Sequence, residues 1–168
     1  DFNQEAVYNL VQICAEETVS NGINFISLQG GYYQLPVLST SLFSNNTAFY
    51  YYEGFDTSPE IEDIEDELSL YTENEIRNCI NLKTFENQGI QIRKGEIEAN
   101  TEISDEKVIV NLNYPLTLIK GKTTINIDKF NVNVKSDIKK FFELSKQIIE
   151  EQDKDPDFIP ESFLLNFA

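Results

Sequence analysis

At Gln88 the hydrophobic rhythm of this chain changes. Before it, apolar residues recur at three- and four-residue spacing, the period of a helix. After it they alternate, the period of a strand with one buried face. Ile90 and Ile92 alternate, Glu96-Ile97-Glu98-Ala99 and Glu102-Ile103 continue the pattern, and Val108, Val110 and Leu112 follow. Leu116 and Leu118 precede a Lys120-Gly121-Lys122 turn, after which come Ile125, Ile127, Phe130, Val132 and Val134. The pattern predicts an antiparallel meander of about four strands. Pro115 has no N–H to give a ladder, so it predicts a bulge or an edge position.

The helical half begins with residues 2–28, read as one long helix with Val7, Leu10, Val11, Cys14 and Thr18 on its apolar stripe and Phe25 two turns beyond. Gly30-Gly31 stops it, because glycine adopts the left-handed conformation that a C-terminal cap needs. A phosphate-binding loop would follow a strand and open a helix, the reverse of this order. Ser39 to Thr47 reads as a polar loop and Ala48 to Tyr52 as a strand. Ser58-Pro59-Glu60 predicts a helix start with a serine cap. Thr72-Glu73-Asn74-Glu75 reads as a capping box that begins a further helix. Ser136-Asp137 caps a last helix carrying Ile138, Phe141, Phe142, Leu144 and Ile148 or Ile149. The expected class is α+β, with helices packed on one face of the meander. Residues 1–150 are expected to form a single domain, and 151–168 an acidic, proline-broken tail with an apolar end.

Charge narrows the function. The chain carries 13 basic and 29 acidic residues, a net −16. Such a surface repels nucleic acid and anionic lipid. Histidine is absent, which excludes a Ser-His-Asp triad, a Cys-His pair and histidine-bound metal. No apolar run approaches the roughly 18 residues of a membrane span. Methionine is also absent, so a segment upstream of residue 1 is expected to have been removed. The acid run from Glu60 to Glu67 reads as a solvated helix face. Asp153, Asp155, Asp157 and Glu161 have the opening rhythm of a calcium loop, and are the candidate metal ligands. Phe158, Leu164 and Pro156 break that pattern, which favours an acidic linker and no cofactor. Tyr32, Tyr33, Tyr50 and Tyr52 are candidates for a contact surface, as are Phe163, Leu164, Leu165 and Phe167 in the tail. Cys14 and Cys79 lie on or beside apolar stripes, and form one disulfide in a secreted chain or two buried thiols in a cytosolic one. Asn45-Asn46-Thr47 is an N-glycosylation sequon. Cysteines and sequon together point outside the cell.

Several stretches resemble a family of uncharacterised, membrane-anchored surface proteins of DPANN archaea. They are Ile13-Cys14-Ala15-Glu16-Glu17, Leu28-Gln29-Gly30-Gly31-Tyr32-Tyr33, the Ala48 to Tyr52 run, Leu68-Ser69-Leu70-Tyr71 before Asn78-Cys79-Ile80, and Val110-Asn111-Leu112-Asn113-Tyr114-Pro115-Leu116. The resemblance spans about Val7 to Ile149. It implies an upstream anchor helix, an extracellular location and a Cys14–Cys79 disulfide. It supplies no catalytic residue. The function expected is that of a non-enzymatic cell-surface domain acting in protein–protein contact, adhesion or filament assembly, its tail pairing with a neighbour's sheet edge. The alternative is an extracellular module binding a peptide, a glycan or calcium.

Overall fold

The structure, a computed structural model, describes residues 4–42, 45–161 and 165. It is α+β, as the change of period implies. Helix α1 spans Gln4–Leu28 and buries Val7, Val11, Ala15, Val19, Ile23 and Ile26. Gly31 (φ 90°) donates its N–H to Ile26 O at 2.7 Å, and Gly30 (φ 76°) is also left-handed. The double glycine is therefore a helix stop.

The next segment departs from expectation. Ser39 to Thr47 holds a hairpin of β1 (Ser39–Leu42) and β2 (Asn45–Ala48), not a loop. The Ala48 to Tyr52 run is broken after Ala48, because Ala48 N–H donates to Gln29 O while the Tyr50 hydroxyl reaches Gly30 O. Only Tyr51–Tyr52 (β3) remains extended, paired with Phe55–Asp56 (β4) through a turn at Glu53 (φ 50°) and Gly54 (φ 89°).

Helix α2 runs unbroken over Ile61–Cys79, where two helices were expected. Thr72 is fully buried and its hydroxyl donates to Leu68 O at 2.8 Å. It continues the stripe of Ile64, Leu68 and Ile76 and caps nothing. The start also differs. Asp56 Oδ1 accepts the N–H and hydroxyl of Ser58, and the cap is Glu60, whose N–H donates to Asp63 at 2.8 Å. A short helix α3 (Lys83–Glu86), without a sequence signal of its own, leads into the sheet.

The sheet comprises β5 (Gln91–Lys94), β6 (Glu98–Ile103), β7 (Lys107–Lys120) and β8 (Thr123–Lys135). Strand β7 is central. It pairs antiparallel along its length with β8, and on its other side with β6 and then β5. The β7–β8 register shifts between Asn113 and Leu116, a bulge at Pro115. Opposite it, Gly95 N–H donates to Pro115 O at 2.7 Å, where β5 hands over to β6. Val108, Val110, Leu112, Tyr114, Leu116 and Leu118 of β7 are buried, and the intervening residues are not.

Helices α1 and α2 cover the buried face, α1 over β8 and α2 over β6. They meet closely at Gly22, where a Cβ would lie 2.7 Å from Leu68 and Tyr71. A Cys14–Cys79 disulfide joins them. Helix α4 (Ile138–Lys154) follows β8, with Ser136 Oγ accepting the Ile138 N–H. Ile138, Phe142, Leu144 and Ile149 face inward, while Phe141 is 58% exposed, contrary to expectation. The helix also continues four residues past Glu150, the expected end of the domain, with Lys154 paired to Glu151 at 2.7 Å.

Candidate functional site

The acids of α2 do more than face water. Glu67 Oε2 accepts the N–H groups of Tyr33 and Gln34, both at 2.8 Å, and fixes the segment after the double glycine. Glu65, Ser69 and Glu73 line one side of the same helix. Their side-chain oxygens accept the N–H groups of Ile103 (2.7 Å), Thr101 (3.0 Å) and Ala99 (2.8 Å) of β6. Ser69 Oγ also lies 2.8 Å from Thr101 Oγ1. The match is geometric. Four helical residues rise about 6 Å and two strand residues about 6.7 Å, so an antiparallel helix meets every second amide of an edge strand. The outer edge of β6 is thereby closed.

This phase fixes the rest of the sheet. Backbone groups in an antiparallel ladder alternate between the two sides of a strand. With Ala99, Thr101 and Ile103 turned to α2, Asn111 and Asn113 turn to β6, and Val110 and Leu112 to β8. Val132 and Phe130 return those bonds, so Asn131 and Asn133 of β8 point outward. The Asn131 carbonyl accepts the Gln12 amide at 2.9 Å, in keeping with that direction. Among the described residues no other side chain or backbone group bonds to this edge at Asn131, Asn133 or Lys135.

The sheet face away from α1 and α2 is polar. Asn100, Asn111 and Asn131 are in register across three strands, and the Asn131 amide donates to Asn111 Oδ1 at 2.7 Å. Asn113 bonds Glu98 at 3.2 Å. These residues, with Lys129, the apolar Ala99, Leu112 and Phe130, and Tyr8 of α1, line a hollow of about 550 Å³. The amides present both donors and acceptors there, chemistry suited to hydroxyl or peptide groups.

The tyrosines are dispersed. Tyr33 packs edge-on against Tyr71 and Phe25, and its hydroxyl donates to Glu75 at 3.1 Å. Tyr50 is wedged between the end of α1 and Phe142. Burial, with the Tyr32 hydroxyl adding to it, pushes the Tyr50 pKa up to about 12. Burial raises Tyr32 as well, with the charges of Asp63 and Glu67 adding to it. Tyr52 is exposed (39%) and touches Phe49. Four of the aromatic candidates are thus not gathered into one patch; Tyr32, Tyr33 and Tyr50 are half-buried. In the tail, Leu165 is exposed, and Phe163, Leu164 and Phe167 lie outside the described residues. Asn45 contributes its backbone to β2, and its side chain lies outside what is described. Asp153 belongs to α4 and accepts the Tyr51 hydroxyl at 3.1 Å, while Asp155, Asp157 and Glu161 lie beyond the helix. No group of three potential metal ligands occurs among the described residues, these four acids included. Nor is any described helix long and apolar enough to cross a membrane.

Compared with known protein families, curated proteins and solved structures, the chain matches none. Sequence reasoning found the cysteine pair and missed the edge-closing set. The available signal was Glu65, Ser69 and Glu73 at four-residue intervals, three short acceptors on one helix side.

Proposed function

We propose that this chain is the non-enzymatic extracellular domain of a cell-surface protein, of the kind anchored on DPANN archaea, and that it acts in protein–protein contact, adhesion or surface assembly. The observation that carries this reading is the unequal finish of two edge strands, with the outer side of β6 closed by α2 and that of β8 left open. A long unpaired edge is a template for another chain. The Cys14–Cys79 disulfide supports an oxidising location. The acidic surface disfavours nucleic acid as partner. A second reading, a module for a peptide or glycan, is favoured by the asparagine-lined hollow. Electron microscopy of native surface material, with chemical crosslinking, tests the first. Ordered arrays or a crosslinked partner containing this chain are expected. Dispersed, uncrosslinked single particles would overturn it and turn attention to the hollow.

A further inference from the structure

The chain segregates its charge. Residues 107–135, the β7–β8 hairpin, carry five lysines and one aspartate, Asp128, while the remaining residues hold 28 acids and eight basic groups. The lysines are Lys107, Lys120, Lys122, Lys129 and Lys135. Strand β8 has 13 residues, and its side chains at Lys129, Asn131, Asn133 and Lys135 are exposed. Its outward N–H groups at Asn131, Asn133 and Lys135 have no protein partner among the described residues. We propose that the outer edge of β8 receives an extended, acidic segment of a partner polypeptide as an added strand. This rests on the contact reading above and names the edge and the chemistry of the partner.

Geometry sets the mode. An incoming strand finds alternating outward N–H and C=O groups at Asn131, Asn133 and Lys135, so main-chain bonds hold it and side chains give specificity. Charge selects the strand. Lysine on an edge is also a common guard against aggregation. A guard works with either sign, however, and this chain meets solvent with acids almost everywhere else. The use of lysine on this one hairpin is explained by an acidic partner. At about 0.15 M salt the screening length is roughly 8 Å, so an added strand about 4.8 Å from β8 meets the exposed Lys129 and Lys135 directly. The acids nearby are Asp128 of β8 itself, Glu98 beside Lys129, Glu106 and Asp137 beside Lys135, and Glu16. Of these, Asp137 is paired with Lys140 at 2.6 Å, Glu98 accepts from Asn113 at 3.2 Å, and Glu16 accepts from Gln12 at 2.8 Å.

The test uses the whole chain and a labelled synthetic peptide alternating glutamate with valine. Fluorescence anisotropy is expected to show binding that weakens about tenfold as salt rises from about 0.05 to 0.5 M. A peptide with lysine in place of glutamate is expected not to bind. At saturation, amide exchange at Asn131 and Asn133 should slow about tenfold or more. Asn133→Pro removes an outward N–H without taking a bond from β7 and should abolish binding. Should that variant fail to fold, the pair Lys129→Glu and Lys135→Glu should do the same. Equal binding of both peptides, or unchanged exchange at Asn131 and Asn133, would overturn the proposal. If native material forms contacts that Asn133→Pro leaves intact, the edge proposal fails and the contact reading stands. If the acidic peptide docks on β8 but native material has neither array nor partner, the contact reading alone fails.

Discussion

Along β6, the outward N–H groups of Ala99, Thr101 and Ile103 end on Glu73, Ser69 and Glu65 of α2. Along β8, Gln12 of α1 meets the carbonyl of Asn131, and the outward amides of Asn131, Asn133 and Lys135 meet no protein group among the described residues. Each edge strand packs against a helix, β6 against α2 and β8 against α1, so the presence of a covering helix does not separate them. The difference is in what the polar side chains meet. Glu65, Ser69 and Glu73 of α2 each accept an outward N–H of β6, whereas of Gln12, Glu16 and Ser20, at the same interval on α1, only Gln12 bonds to β8 among the described residues, and it does so as a donor to a carbonyl. An edge is closed by acceptors set opposite its amides, and a covering helix alone does not close it.

The largest effect expected concerns the link between the two helices. The Cys14–Cys79 bridge closes a loop of 65 residues, which contributes about 4 kcal/mol by the chain-entropy estimate. Replacing both cysteines with serine should lower the urea midpoint accordingly. If α2 depends on α1 for its position, the amides of Ala99, Thr101 and Ile103 should also exchange faster. Unchanged exchange at those amides would mean that α2 holds the β6 edge unaided.

The second effect isolates the closure itself. Ser69→Ala removes the acceptor of the Thr101 N–H and the partner of its hydroxyl, in a place where Thr101 is 5% exposed. A buried donor left unpaired costs about 1–3 kcal/mol. The expected result is a lower denaturation midpoint at unchanged slope, with faster exchange at Thr101. A neutral variant would show that the edge is held by the flanking glutamates.

The legibility of the molecule follows the same division. The alternation after Gln88 reported the antiparallel strands, though not that β5 pairs with β7 in place of β6, and Pro115 reported the bulge, because side-chain period and a missing N–H are local properties. Gly30-Gly31 was legible for the same reason. Thr72 misled, since a threonine ahead of Glu75 reads as a cap unless its burial is known. The broken Ala48 to Tyr52 run depended on Gln29 and Gly30, about twenty residues away in sequence. Gly22 likewise gained meaning only from Leu68 and Tyr71 across the helix contact. The two edges were the least legible. Exposure of β8 and closure of β6 both depend on which way a ladder faces, and that phase is set by tertiary pairing.

Tyr50 belongs to neither edge and serves as the reference for both. Tyr50→Phe loses the bond to Gly30 O, at a cost of about 1 kcal/mol, with the amides of β6 and β8 unchanged. Alkaline pH gives a second readout. The folded Tyr50 ionises near pH 12 against 10 for the ordinary side chain, so the fold favours the neutral phenol. That stability is complete below pH 10 and is lost as pH rises through about 12. Urea titrations across this window should show a shallower loss for Tyr50→Phe. Some slope should remain, since burial also raises Tyr32, Tyr33, Tyr71 and Tyr114.

The smallest effect sharpens the comparison most. Gln12→Ala removes the hydrogen bond to the Asn131 carbonyl and the one to Glu16. It also removes Gln12 Oε1, which is buried with no partner among the described residues and carries a desolvation cost of its own. Loss and relief oppose each other, and the carbonyl left behind is at an exposed edge where water can replace the amide. The net change in stability is therefore expected within about 0.5 kcal/mol. Measured beside Ser69→Ala, the two substitutions delete the polar contact between a helix and each edge strand, two hydrogen bonds at Thr101 and one at Asn131. A large loss at Ser69 and none at Gln12 would mean that the fold invests in closing β6 and gains nothing from closing β8. Equal losses would mean that α1 already closes β8 as firmly as α2 closes β6, and the open edge would then have no standing as a contact surface.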